Sequence, residues 1–199
     1  MVAQPLPVRA PGGLTPPTRQ SGRSLPGWWV ALNLIGYQAG WFATVYGATH
    51  EQPWLGPVVV AMLVAVHLFL TSQPLRAAGL IVIAGVFGAF QENVMLSLGL
   101  VAYPTSPGGV PVWMIALWPL FATTLSVGLR WFQARLLPVA ALAGAVLGPL
   151  AYWAGAAAGA IVLPDPAASL AGLGIAWMAG FPMLLALARW LDRPLAEAG

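Results

Sequence analysis

Six long apolar stretches, separated by very short polar breaks, decide what this chain can become. They run over about 28–48, 54–72, 78–103, 110–131, 136–162 and 168–191. Each has the length of a helix that crosses roughly 30 Å of hydrocarbon at about 1.5 Å per residue. The breaks at Thr49 to Pro53, Gln73 to Ala77 and Phe132 to Arg135 leave room for little but tight helical hairpins. A soluble fold fails on charge, because Asp, Glu, Lys and Arg make up only 7% of the chain, where a soluble domain carries about 25%. The expected fold is all-α: a polytopic integral membrane protein with a six-helix transmembrane bundle. Interior prolines at Pro57, Pro119, Pro138, Pro149 and Pro182 are tolerable in such a bundle and bend helices.

The expected organisation is a Pro/Gly/Arg-rich flexible tail at 1–26, a transmembrane domain at 27–192 and a short tail at 193–199. The first tail lacks the short apolar stretch and small-residue cleavage site of a signal peptide. No three-plus-three inverted repeat joins the two halves.

Charge placement orients the spans. All eight basic residues are arginines. With six spans, Arg9, Arg19, Arg23, Arg76, Arg130, Arg135, Arg189 and Arg193 all fall on one side. The opposite loops carry Glu51 and Asp165 and no arginine. The positive-inside rule then places both termini in the cytoplasm. Tryptophans fit the same frame: Trp28, Trp29, Trp131 and Trp190 mark one interface, Trp54 and Trp113 the other. Scattered arginines form no basic stripe, so nucleic acid is not an expected partner.

Few residues carry candidate chemistry. Glu92 lies deep in the third run, roughly 20 Å along it. An exposed carboxylate at that depth is costly, so Glu92 is expected to face protein or water, or to hold a proton. Depth along the helices also groups Asn33, His67, Thr123, Thr124, Arg130 and Arg76 into a candidate polar layer near the cytoplasmic side. His, Asn and Arg together suit an anionic head group. The plainer alternative has His67 bonded to a carbonyl, the threonines bonded within their own helix and the arginines, Arg135 among them, reaching to lipid phosphates. Trp41 lies near the depth of Glu92, and Gln38, below it, is a candidate bridge from this layer to Glu92. Gly36 and Gly40, Gly144 and Gly148, and Gly155 and Gly159 have the spacing of close helix contacts.

The chain has no cysteine, which excludes disulfides, thiolate metal sites and cysteine nucleophiles. No nucleotide-binding, zinc-protease or nucleophile-elbow motif occurs. No cofactor or metal is expected.

The strings NLIGYQAGWFATV (33–45), VAVHLFL (64–70), VPVWMIALWPLFATTLSVGLRW (110–131) and GAVLGPLAYWAG (144–155) resemble a family of small bacterial inner-membrane proteins, the domain of unknown function 2878. The resemblance covers about 28–192. It includes Asn33, Gln38, Trp41, His67, Trp113, Trp118, Phe121, Thr123, Arg130 and Trp131, with Glu92 where the family carries an acid. It implies lipid or envelope work and no mechanism. Three functions stay open: a non-catalytic lipid-associated component, a small proton-coupled transporter using Glu92, and a membrane-embedded enzyme on a lipid or isoprenoid substrate. The expected partners are membrane lipids, anionic ones included, with a second copy or another membrane protein as further candidates.

Overall fold

The structure, a computed structural model, describes residues 25–135 and 137–192. The expected tails therefore fall outside the described residues, apart from Leu25 and Pro26. So do Arg9, Arg19, Arg23 and Arg193. The chain forms α1 (Gly27–Thr49), α2 (Leu55–Leu70), α3 (Pro74–Ser97), α4 (Val112–Leu125), a short 3-10 helix (Arg130–Ala134), α5 (Leu137–Ala157) and α6 (Pro166–Leu191). Each apolar run thus yields one helix. Among the described residues, α3, α5 and α6 are long and apolar enough to cross a membrane, while α2 and α4 are apolar but shorter. Phe42, Val86, Phe90, Leu142, Val146 and Ile175 stand exposed on the outer faces. So much outward apolar surface belongs in lipid.

The helix ends have local causes. Pro74 and Pro166 sit in first turns, where a missing N–H costs nothing. Asp165 caps α6 by accepting from Ala167 N at 3.1 Å and Ala168 N at 3.2 Å. This start corrects the third run: the helix begins at Pro74, so Arg76 lies in its first turn and not in a loop. Its other end is Ser97, leaving Glu92 only about 8 Å from that end. The fourth run also differs from expectation. Its α-helix stops at Leu125, and a turn leads into the 3-10 helix that carries Arg130.

A repeat of the hairpins α3–α4 and α5–α6, smaller than the one sought in the sequence, is visible once burial is known. The buried positions of α5 are Ala140, Gly144, Gly148, Tyr152 and Gly155. Each lies sixty residues after a buried position of α3: Leu80, Ala84, Gly88, Glu92 and Met95. Both helices end alike. Gly99 (φ 67°) and Gly159 (φ 87°) take the left-handed conformation that favours glycine. Leu100 N then donates to Met95 O, and Ala160 N to Gly155 O, each at 3.0 Å. Three residues after each glycine, Ala102 and Val162 exchange antiparallel backbone bonds of 2.9 and 2.8 Å. Equivalent residues that pair reciprocally mark a pseudo-two-fold axis. Since α3 and α5 reach the same end, that axis runs along the helices.

Around the axis, α4 packs on α1, α2 and α3, and α5 packs on α6. A Cβ on Gly144 would meet the backbone oxygen of Trp177, and one on Gly148 its indole. The small-residue pair in α5 therefore sets the close α5–α6 crossing. Gly36 and Gly40 do similar work in α1, against Leu63 and Leu120.

Candidate functional site

Two polar assemblies stand out, one buried on the axis and one at the end where the described arginines collect. The first is built on Glu92, which is 0% exposed. Its Oε2 accepts from the Tyr103 hydroxyl at 2.6 Å, and its Oε1 from the Trp118 indole N–H at 3.1 Å. Oε1 also accepts a short hydrogen bond from the Tyr152 hydroxyl. Glu92 and Tyr152 are repeat equivalents, so this bond crosses the pseudo-two-fold axis. Trp118 and Trp177 extend the symmetry. Each indole covers the matching glycine, Gly88 or Gly148, and the two rings stack with centroids 5.0 Å apart. One carboxyl thus ties α3, α4, α5 and the loop after α3 together through three neutral donors.

The second assembly is a pocket of about 410 Å³ lined by His67, Gln73, Arg76, Ser126, Arg130 and Asp192, among others, with Trp28 and Trp29 as apolar walls. His67 is 5% exposed. Its ring stacks on Trp29 with centroids 5.6 Å apart, and its Nδ1 has no hydrogen-bond partner. The start of α1, the α2–α3 turn, the end of α4 and the end of α6 all meet here, which puts these arginines at one end of the bundle.

The expected polar layer is therefore only partly assembled. His67, Arg76 and Arg130 share the pocket. Asn33 does not line it: its Nδ2 donates to Thr123 O and Oγ1, each at 3.2 Å, and its Oδ1 accepts from Gly128 N at 3.2 Å. Asn33 is a clamp between α1 and the end of α4. Thr123 and Thr124 donate to Leu120 O and Phe121 O, both at 2.7 Å. They follow the plainer alternative of bonding within their own helix. Arg135 is exposed and lies over the Trp131 ring at 5.6 Å. Gln38 does not bridge to Glu92. It is exposed and, with Trp41, lines a groove between α1 and α5.

The family of proteins of unknown function designated DUF2878 matches residues 30–183. The chain belongs to this family. No curated protein and no solved structure matches it. The DUF2878 match takes in α1 through most of α6, and with them the whole Glu92 assembly and His67, Arg76 and Arg130. It stops short of Arg189 and Asp192. For this DUF2878 protein the description that stands is a largely apolar, multi-helix membrane protein.

Sequence reasoning singled out Glu92 but none of its partners as site residues. Tyr103 and Tyr152 were passed over because they lie 11 and 60 residues away. The available signal was the pairing of Gly99 and Pro104 with Gly159 and Pro164 at a constant offset of sixty residues. That offset places Tyr152 opposite Glu92.

Proposed function

We propose that this DUF2878 protein is a six-span, non-catalytic, lipid-associated component of the bacterial cytoplasmic membrane. Both termini lie in the cytoplasm, and the basic pocket holds an anionic lipid head group. The observation that carries this reading is one pocket containing Arg76, Arg130 and His67. Two guanidiniums offer forked donors to phosphate oxygens, and a buried imidazole nitrogen without a partner is suited to the same ligand. Trp28 and Trp29 beside them match the interfacial belt where a head group sits.

The test is lipid retention in native mass spectrometry, using phosphatidylglycerol and phosphatidylcholine. Arg130→Ala is expected to reduce phosphatidylglycerol retention about fivefold, in line with roughly 1 kcal/mol per arginine at an anionic surface, and His67→Ala by a similar factor, in line with about 1 kcal/mol for one hydrogen bond. The double variant should lose less than the sum, because both contacts serve one ligand. Asn33→Ala should lower stability and leave the lipid preference intact. Competition by inorganic phosphate alone would assign the site to a free anion. Equal retention of both lipids by wild type and Arg130→Ala would end the proposal.

The orientation has its own test. The chain lacks cysteine, so single cysteines report cleanly. Pro107→Cys is expected to label from outside intact cells, and a cysteine appended after Gly199 only after permeabilisation. The reverse pattern would overturn the topology.

One observation favours transport as a second reading. Parallel repeats about an axis along the membrane normal, with polar groups at their interface, are a transporter arrangement. In this reading Glu92 is the coupling acid, and Glu92→Gln abolishes proton-dependent uptake while preserving the fold.

A further inference from the structure

The basic pocket contains an acid that its arginines do not explain. Among the described residues, Glu51 and Asp165 lie at the opposite end of the bundle and Glu92 lies inside it, so Asp192 is the one acid at the arginine end. It caps the C-terminus of α6. A carboxylate there meets the negative end of the helix dipole, where a cation is the stabilising choice. Asp192 lines the pocket together with Arg76, Arg130 and Ser126, and it is exposed, so an incoming group can reach it. Its own contacts are weak. Oδ2 accepts from Gln133 Nε2 at 3.4 Å, long for such a bond, and the same Nε2 also donates to Leu125 O at 3.0 Å. Among the described residues, Oδ1 has no hydrogen-bond partner and the carboxylate makes no ion pair.

Arginines and acid ask for different parts of one ligand. The guanidiniums of Arg76 and Arg130 suit phosphate oxygens. An ionised carboxylate only accepts, so Asp192 suits a donor carried on the same ligand and repels a second anion. A phospholipid meets both demands when the alcohol esterified to its phosphate bears a free donor. The pocket, at about 410 Å³, has the size of a small-ligand site and has room for that alcohol beside the phosphate. A hydroxyl donates to the carboxylate without adding charge. An ammonium would bring a further cation beside two guanidiniums, and a quaternary ammonium has no donor at all.

We infer that Asp192 makes the pocket selective for an anionic phosphodiester head group whose alcohol carries free hydroxyls, as a glycerol head group does. The inference rests on the anionic-lipid reading of the pocket and adds the part of the ligand that the arginines do not recognise.

The test is native mass spectrometry of the full chain released from phosphatidylcholine nanodiscs that carry one test lipid at a time. Phosphatidylglycerol and phosphatidylmethanol share the phosphodiester and its charge, but only the first has hydroxyls. Wild type is expected to retain phosphatidylglycerol about tenfold over phosphatidylmethanol, a factor that one hydrogen bond to a charged acceptor supports. Asp192→Asn keeps a neutral acceptor and should narrow the ratio to about threefold. Asp192→Ala should bring the ratio below about twofold, by loss of that bond, with phosphatidylmethanol retained at least as well as by wild type. Both variants are expected to fold, because the residue is exposed at a helix end. If Asp192 only offset the arginines' charge, Asp192→Ala would strengthen retention of both lipids equally and leave their ratio unchanged, which overturns the inference. Equal retention of the two test lipids by wild type, each above phosphatidylcholine, would overturn it while the anionic-lipid reading stands. Equal retention of all three lipids would end that reading and the inference with it. Stronger retention of phosphatidylethanolamine than of phosphatidylglycerol would put an ammonium in place of the hydroxyl, and displacement of the lipid by micromolar glycerophosphoglycerol would make the ligand a soluble phosphodiester. Either result overturns the assignment to a hydroxylated lipid head group.

Discussion

Glu92→Ala is expected to destabilise the protein by roughly 3–5 kcal/mol, the largest loss from any single polar substitution. The change leaves Tyr103, Tyr152 and Trp118 as three buried donors without an acceptor, each costing about 1–3 kcal/mol, and opens a cavity as well. Glu92→Gln should cost far less, about 1 kcal/mol. The amide oxygen can replace Oε1 and accept from both Trp118 and Tyr152. The amide nitrogen then replaces Oε2 and donates to the Tyr103 oxygen, so only the Tyr103 proton loses its acceptor. Unfolding in mixed detergent, followed by tryptophan emission, measures the order. Similar losses for Ala and Gln would show that the carboxyl is not the common acceptor of the three donors. Tyr103→Phe and Tyr152→Phe should fall between the two, because each removes one donor and leaves the others paired.

How much of this was legible beforehand depends on distance along the chain. The helices were, because each apolar run is bounded by Pro, Gly or charge and is long enough to be read alone. The boundary errors came from local chemistry that runs against hydropathy. Pro74 reads as a break but serves as a first-turn residue, and the polar turn before it hides that Arg76 is helical. The fourth run stays apolar beyond Leu125 although its α-helix has ended. Glu92 was visible as the one acid inside a span. Its depth was misjudged because the third helix starts earlier, at Pro74, and stops at Ser97.

Side-chain partners were not legible by depth. Asn33 and Arg130 lie at similar heights, yet Asn33 turns into α4 and Arg130 into the pocket, and height carries no information about face. The hairpin repeat would have supplied some of it. Trp118 and Trp177 are 59 residues apart, as are Arg130–Trp131 and Arg189–Trp190. With few identities between the hairpins, what they share is the size and burial of aligned positions, which emerges only when the buried faces are compared.

The repeat leads to the second large effect. Gly88→Ala and Gly148→Ala are expected to destabilise by similar amounts, roughly 1–2 kcal/mol each. A Cβ at either site would overlap the indole that covers it, at the base of the ring where the side chain cannot swing away. Relief therefore requires the helices to part, and overpacking of this kind costs about 1–3 kcal/mol. Alanine recovers only about 0.5–1 kcal/mol in helix propensity. Gly79→Ala isolates that gain, since nothing lies within 4 Å of its Cβ position, and it should be neutral or mildly stabilising. The two harmful changes are coupled through one physical object. Trp118 and Trp177 stack on each other, so displacing one indole already loosens the seat of the other. The double variant should therefore cost less than the sum of the singles by about 1 kcal/mol. Full additivity in detergent unfolding would mean that the two halves of the repeat pack independently and that the stacked pair does not join them.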